Sequence, residues 1–209
     1  MNDLRAAELV LDVVVANVND HANSRLELEL MLFAIQSPTN IGMIMRIAEV
    51  YCFTVSVFDP HHVLDDREKI KTIEDFSCGS LKRRGYLRLA DEDAVARRCV
   101  GRRLIATSIF PGACNIKSVH FQAKDIVVLG NEYDGLPDYL AAKADLKLHI
   151  PVPQTKLPKP VSWYPIDPTR NSVSHDGTPN LNVAISAGII CHAAYTNWIP
   201  KPPFDEHDR

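Results

Sequence analysis

The chain has 209 residues, of which 46% are hydrophobic and 23% charged, and its formal net charge is −3. These values are typical of a globular protein with a sizeable core, and they argue against a strongly basic nucleic-acid-binding protein. No apolar run is long enough to cross a bilayer and no secretory signal opens the chain, so we expect no membrane association. The five cysteines form no C-x-x-C pair, which argues against a zinc site or disulfide framework and favours reduced thiols in the cytoplasm.

Basic residues are concentrated in one stretch of the chain, although the net charge is negative. Two interpretations of this stretch stay open: a set of solvated helix faces, or a local surface that binds phosphate. The residues concerned are Arg67, Lys69, Lys71, Lys82, Arg83, Arg84, Arg88, Arg97, Arg98, Arg102 and Arg103.

The first quarter of the chain carries apolar patterns of both helical and strand period. Apolar residues near helical spacing predict a short helix over residues 4–15. A first strand is predicted over residues 26–35, and its alternating first half indicates that the strand is less buried at its start. A helix follows over residues 41–52, with Asn40 at its N-cap.

The rest of the chain continues this alternation of strands and helices. A helix is predicted from Asp65 or Asp66 to Thr72, and a loop over residues 76–81 leads toward the next helix. The other predicted strands are 54–58, 86–89, 104–108, 126–129 and 146–152, and the other predicted helices are 91–99, 115–120, 136–143 and 181–198.

The most informative of these elements is the apolar run Ile126–Leu129, which ends in a polar loop. Its uninterrupted apolar character predicts a strand that is buried on both faces. The run leads directly into Gly130, Asn131 and Glu132. Ligands in open α/β sheets bind beyond the carboxyl ends of strands, and glycine allows close backbone approach to a ligand. A plain surface turn has a similar composition, so this segment alone does not establish a site.

The order of elements predicts an α/β fold, with a mostly parallel sheet and helices on both faces. We assign this domain to residues 26–199, with an N-terminal extension over residues 1–25 and a disordered tail over residues 200–209. Residues 153–180 are rich in proline and show no clear periodicity.

Three segments at the ends of predicted strands or at the following helix starts carry further polar residues. The first reads N-x-G-x-x-x-R, the second G-N-E-x-x-G-L, and the third joins an I-P pair to an L-N-V helix entry. The matching residues are Asn40, Gly42 and Arg46; Gly130, Asn131, Glu132, Gly135 and Leu136; and Ile150, Pro151, Leu181, Asn182 and Val183. Together these segments resemble the three motifs of the SpoU (TrmH-type) branch of the SPOUT RNA methyltransferases, and the resemblance covers residues 26–198. Ser77 and Gly79 also match the family's S-x-G segment.

The resemblance implies a sheet whose C-terminal part forms a trefoil knot, with S-adenosylmethionine bound in the knot. It also implies a homodimer that methylates a ribose 2′-hydroxyl in transfer or ribosomal RNA, without a metal. By the same resemblance, the catalytic residues are Asn40, Arg46 and Glu132, and the cofactor is held by Thr107, Leu129, Gly130, Ile150, Leu181 and Asn182.

The chemistry of each residue type limits the implied roles. Arginine normally stays protonated, so we interpret Arg46 as a clamp on an RNA phosphate with electrostatic activation, and less readily as a base. Asn40 would orient Arg46 or the ribose. Glu132 would hold the active-site loop or a neighbouring arginine.

Two departures from the family pattern keep a second function open. Asn180 and Ala184 stand where the family has serine, and residues 154–179 form an insertion where the family has a short loop. The insertion is either decorative or a lid over the cofactor. The lost serines and the negative net charge are compatible with a non-catalytic RNA-binding or scaffold protein. A nucleotide-binding α/β protein is disfavoured, because the chain has no G-x-G-x-x-G or Walker loop.

The closing helix over residues 181–198 is predicted to form the dimer contact. Its small residues would let another helix approach closely, although the helix could instead pack on its own sheet. These residues are Ala184, Ala187, Gly188, Ala193 and Ala194.

Overall fold

Seven strands form one sheet in this computed structural model, which describes residues 27–107, 112–132, 134–152 and 181–198. The strands are β1 (Glu29–Phe33), β2 (Thr54–Phe58), β3 (Leu87–Leu89), β4 (Leu104–Thr107), β5 (Cys114–Asn115), β6 (Ile126–Leu129) and β7 (Leu146–His149). The helices are α1 (Pro38–Val50), α2 (Arg67–Ser77), α3 (Ser80–Arg84), α4 (Glu92–Cys99), α5 (Asp138–Lys143) and α6 (Val183–Trp198). The strand order is β3-β2-β1-β6-β4-β7-β5 and all neighbours pair in parallel, which confirms the predicted parallel α/β fold.

Helices cover both faces of this sheet, as predicted. One face packs side chains such as Leu30 and Val127 against α1, α2 and α6. The other packs Met31 and Val128 against α4 and α5. Because successive strand residues point to opposite faces, this double covering explains why β1 and β6 are apolar almost without interruption.

The structure corrects three local predictions. Helix α1 begins at Pro38 and its N-cap is Ser37, whose Oγ accepts a hydrogen bond from the backbone N of Asn40 at 3.2 Å. Asn40 is therefore not the N-cap. Helix α2 continues to Ser77, beyond its predicted end. The helix predicted over residues 115–120 is replaced by β5 and a 3₁₀ turn, because β5 pairs with β7 in the sheet.

The prediction for α6 as a dimer contact is wrong for three of the five small residues on which it rests. Ala184, Ala187 and Ala194 are fully buried within the chain. A Cβ atom added at Gly188 would lie 3.7 Å from Cδ1 of Ile47 in α1. The small side chains of α6 thus allow close packing inside the subunit. The exposed face of α6 carries larger apolar residues.

Several predictions fall on residues that the structure does not describe. These are the helix over residues 4–15, the extension over 1–25, the insertion over 154–179 and the tail over 200–209. The trefoil knot also stays a prediction. None of the described helices is both long and apolar enough to cross a membrane.

At the alternating start of the predicted first strand, Glu27 is exposed, as predicted, whereas Glu29 is buried and belongs to an ionic cluster. Glu29 is only 1% exposed. Its carboxylate accepts hydrogen bonds from Ser56 Oγ at 2.6 Å, from Arg98 Nη2 at 2.6 Å and from Arg102 Nη1. Burial by itself raises the pKa of Glu29, but these hydrogen bonds outweigh it and hold the pKa below the ordinary value of 4.5.

We predict that Glu29→Gln destabilises the fold by roughly 3 kcal/mol near neutral pH, because two arginines lose their buried carboxylate. A carboxylate whose pKa is lower in the folded than in the unfolded protein stabilises the fold at pH values above the unfolded-state pKa. This stabilisation is lost as the pH falls through the folded-state pKa. The difference between wild type and variant should therefore shrink below about pH 4.5. Urea unfolding across this range measures it, with the exposed Glu27→Gln as control. An equal difference at all pH values would contradict the assignment.

Candidate functional site

The loop after β6 folds back tightly on itself. Asn131 and Gly135 exchange two backbone hydrogen bonds, of 3.0 and 2.9 Å. A Cβ atom at Gly130 would lie 2.5 Å from the carbonyl carbon of Gly135, so only glycine fits there. Gly135 itself has a positive φ of 69°. The sequence predicts that Gly130 allows close approach of a ligand; in the structure it allows close approach of the loop's own backbone.

The side chain of Asn131 anchors this loop to the neighbouring strand. Its Nδ2 donates to the carbonyl oxygen of Ala34, just beyond β1, at 2.6 Å. Asn131 is 6% exposed, and its Oδ1 also accepts from the backbone N of Asp134 at 3.3 Å. Sequence reasoning assigns no site role to Asn131, although this residue lies inside the second motif. Its contacts show that it supports the loop.

A chain of hydrogen bonds joins the three sequence motifs. Asn182 Nδ2 donates to Asn40 Oδ1 at 3.0 Å, and Asn40 Nδ2 donates to Glu132 Oε1 at 2.8 Å. The other carboxylate oxygen of Glu132 accepts from the backbone N of Gln36 at 3.2 Å. Three positions that are distant in sequence thus meet at the carboxyl edge of the sheet, as the sequence predicts for a site.

Asn182 has a second role as the cap of α6. Its Oδ1 accepts from the backbone N of Ala184 at 2.8 Å and from that of Ile185 at 3.3 Å. Asn182 in the third motif is thus a helix N-cap, whereas Asn40 in the first motif is not. The side chain of Ala184 lies in the apolar core, so the absence of a serine hydroxyl at this position removes no group from the polar network.

Four of the six predicted cofactor residues lie at the ends of three adjacent strands along one edge of the sheet, and the other two, Leu181 and Asn182, precede α6. Thr107 ends β4, Gly130 follows β6 and Ile150 follows β7, and β4 pairs with both of the other strands. Thr107 Oγ1 donates to the carbonyl oxygen of Val128 at 2.9 Å, which ties the ends of β4 and β6 together. The side chain of Leu129 is buried, so only its backbone can contact a ligand.

Arg46 is the predicted catalytic residue that the structure does not bring into this network. Its side chain is exposed, and its Nη1 donates to Cys78 Sγ at 3.2 Å. Cys78 lies in the turn between α2 and α3, within the S-x-G segment. In the described part of the chain, no carboxylate oxygen lies within 4 Å of the Arg46 guanidinium.

Most basic residues between positions 67 and 103 are held in ion pairs, which favours the interpretation as solvated and paired helix faces. The pairs are Lys69–Asp66, Lys82–Glu74, Arg83–Glu49, Arg88–Asp65, Arg97–Asp91, Arg98–Glu29, Arg102–Glu29 and Arg103–Asp125. Within the described ranges, Arg67, Lys71 and Arg84 are the members of this stretch that lack such a pair.

Comparison with known proteins points to one family. A profile of the SpoU rRNA Methylase family matches residues 27–156. No match is found among curated proteins.

Solved structures with the same fold include several RNA methyltransferases. One, from a study of the 2-OH methylation of C/U34 on tRNA, is 20% identical with a TM-score of 0.65, and the alignment covers 83% of this chain and 97% of that one. An AdoMet-bound rRNA methyltransferase from Sinorhizobium meliloti is 23% identical with a TM-score of 0.61. The alignment covers 83% of this chain and 57% of that protein. An RNA 2′-O ribose methyltransferase is 16% identical with a TM-score of 0.62. The alignment covers 87% of this chain and 60% of that protein. The chain therefore spans nearly all of the first protein and about three fifths of the other two.

We predict that Glu132→Gln loosens the connection between the loop and α1. An amide offers one acceptor oxygen where the carboxylate offers two, so either Gln36 N or Asn40 Nδ2 loses its partner, at a cost of about 1–3 kcal/mol. Either the backbone amide hydrogen of Gln36 or the side-chain amide hydrogens of Asn40 should then exchange faster with solvent, as measured by NMR. Glu27→Gln, at an exposed position outside the network, should leave this exchange unchanged. Unchanged exchange in Glu132→Gln would show that the network does not order the loop.

Proposed function

The chain belongs to the SpoU rRNA methylase family, and we propose that it transfers a methyl group from S-adenosylmethionine to a ribose 2′-hydroxyl of transfer or ribosomal RNA. The observation that carries this proposal is the hydrogen-bond chain from Asn182 through Asn40 to Glu132, which joins the three motifs at one edge of the sheet. We also propose that the protein acts in the cytoplasm, in line with its five free cysteines.

The proposed cofactor site uses the backbone at the carboxyl ends of β4, β6 and β7, together with the entry to α6. The half-buried Ile150 and the exposed Leu181 offer apolar surface for an adenine ring. Backbone groups at Thr107, the last residue of β4, and at Gly130, just after β6, offer donors and acceptors to the polar part of the molecule. These groups suit S-adenosylmethionine, whose sulfonium supplies an electrophilic methyl group.

The proposed role of Arg46 is to bind an RNA phosphate and to place a positive charge beside the ribose. A ribose hydroxyl is a poor nucleophile, and its oxygen gains negative charge as it loses its proton. A nearby guanidinium lowers the cost of that charge without giving up its own proton. Asn40 orients the ribose from the buried first turn of α1, and Glu132 fixes the loop and the Asn40 amide.

We also propose a homodimer that uses the exposed face of α6. Ile185 and Ile189 are 48% and 37% exposed and lie four residues apart on one face of the helix, and Tyr195 near its end is 49% exposed. Large apolar residues in such an arrangement are costly to leave in water.

We predict that Arg46→Ala reduces methyl transfer by about two orders of magnitude, because it removes a charge that acts mainly in the transition state. Affinity for S-adenosylmethionine should stay near wild type, since Arg46 lies outside the proposed cofactor edge. The assays are calorimetry with S-adenosylmethionine and transfer of labelled methyl groups to total RNA from a strain that lacks the protein. The control is Arg67→Ala, which removes an exposed arginine without an ion pair among the described residues. Wild-type turnover of Arg46→Ala would refute the role, and absence of cofactor binding by wild type would favour a non-catalytic RNA-binding protein.

We predict that Ile189→Asp dissociates the dimer, because it places a charge in the proposed apolar contact. Light scattering at micromolar concentration should give twice the chain mass for wild type and the chain mass for the variant. Val100→Asp, at a 77% exposed apolar position following α4 on the other face of the sheet, should remain dimeric. A monomeric wild-type protein would overturn the proposal.

A further inference from the structure

Arg46 and Glu49 are neighbours on α1 but are not paired with each other. Residues three apart on a helix lie on the same face, within reach of an ion pair. Glu49 is instead paired with Arg83 of α3. The most direct intrahelical partner of Arg46 is thus already engaged by another cation.

Arg83 engages both oxygens of the Glu49 carboxylate. Its Nε donates to Oε1 at 2.7 Å and its Nη2 donates to Oε2 at 2.7 Å, while Ser80 Oγ also donates to Oε2. Such a two-pronged contact uses the planar shape of the guanidinium and is stronger than a single hydrogen bond. Arg83 Nη2 donates further to the carbonyl oxygen of Cys78 at 3.1 Å.

Gly79 makes room for this arrangement. A Cβ atom there would collide with Arg83 Nη1, and the φ of Gly79 is +85°. Cys78, next to it, has a φ of 50° and accepts the hydrogen bond from Arg46 through its sulfur. The same turn therefore contacts two guanidinium groups: that of Arg83, which binds a carboxylate, and that of Arg46, which does not.

Glu49 remains ionised under all physiological conditions. The hydrogen bonds from Arg83 lower the pKa of Glu49 to about 2. Burial opposes this shift, and the hydrogen bond from Ser80 adds to it. The Glu49 side chain is also only 22% exposed, so water compensates its charge incompletely. Without Arg83, this carboxylate would attract a free cation: Arg84, whose charge already acts on Glu49, or Arg46, which lies one helical turn away on α1.

We propose that Arg83 is a positioning residue that occupies Glu49 and thereby keeps the Arg46 guanidinium available for an anionic group of the substrate. The proposal rests on the proposed role of Arg46 in methyl transfer. It differs from a purely structural role, in which the Glu49–Arg83 pair would only hold the turn at residues 78–79. The two roles predict different results for a variant that lacks both members of the pair. If Arg83 only occupies Glu49, Arg46 stays as reactive as in wild type; if the pair holds the turn, the turn and its contact with Arg46 change.

A double-mutant cycle separates them. Arg83→Met is compared with wild type, and the Arg83→Met, Glu49→Gln double variant is compared with Glu49→Gln alone. The direct readout is the rate at which phenylglyoxal, an arginine reagent, modifies Arg46, followed by peptide mass spectrometry without any RNA. While Glu49 is present, loss of Arg83 should slow this modification by about two- to tenfold, because Glu49 captures Arg46. In the Glu49→Gln background the same loss should have no effect, since no carboxylate remains to compete.

Methyl transfer to total RNA from a strain that lacks the protein is the second readout. The rate of methyl transfer should fall by the same factor in Arg83→Met compared with wild type. In the double variant it should equal the rate of Glu49→Gln. Arg83→Lys, which keeps a cation beside Glu49, should retain most of the Arg46 reactivity. Recovery in the double variant, which also carries Arg83→Met, would show that the loss in Arg83→Met is not unfolding.

Under the proposal, Glu49→Gln alone leaves Arg46 as reactive as in wild type. A change of Arg46 reactivity in Glu49→Gln equal to that in Arg83→Met would assign the pair to the turn alone and overturn the proposal, as would the absence of any effect of Arg83→Met on Arg46 reactivity. Failure of the proposed function has a different signature: Arg46→Ala would then retain methyl transfer, while the phenylglyoxal rates would still report whether Arg83 keeps Arg46 free.

Discussion

The hydrogen-bond chain through Asn182, Asn40 and Glu132 depends on a property that few side chains have. An amide is both a donor and an acceptor, so an asparagine can accept from one neighbour and donate to the next. Asn182 accepts from the first turn of α6 and donates to Asn40, which in turn donates to Glu132. The Glu132 carboxylate accepts at both of its oxygens, and it ends the chain by also accepting a hydrogen bond from the backbone N of Gln36. Because Asn40 is buried, each of these groups must find a partner inside the protein, which fixes the relative positions of α1, α6 and the loop after β6.

The opposite edge of the sheet satisfies its buried polar groups in another way. Glu29 at the start of β1 and Asp125 just before β6 are both buried, and arginines from the basic stretch hold both of them. Because neighbouring strands are parallel, their amino ends share this edge and their carboxyl ends share the other. The charged pairs therefore stabilise the amino edge, while amides and open backbone groups are left at the carboxyl edge, where the three motifs meet.

This division explains how a chain with a net charge of −3 can carry a dense basic stretch without a correspondingly basic surface. Carboxylates neutralise most of these arginines and lysines locally, and a paired guanidinium attracts a phosphate less than a free one does. Arg46 lies outside this scheme. It is exposed and contacts a thiol, although Glu49 follows it by one helical turn. The Arg46 guanidinium is available to a ligand because Glu49 pairs with Arg83 instead.

The sequence by itself determined the fold class, the order of most elements and the family, because hydrophobic periodicity and motif spacing are local properties of the chain. It also indicated that Asn40, Glu132 and Asn182 belong to one site at the carboxyl edge of a parallel sheet. The tertiary structure decided everything that depends on contacts between distant residues. The alternation of residues 26–30 resembled that of a half-exposed strand, but arginines 69 and 73 positions away neutralise Glu29 and allow its burial. The small residues of α6 face α1 inside the subunit, Ser37 and Asn182 cap helices that Asn40 does not, and Gly130 makes room for Gly135. A local pattern states what a residue can do; which of these possibilities is realised depends on the partner that the fold brings within hydrogen-bonding or van der Waals distance.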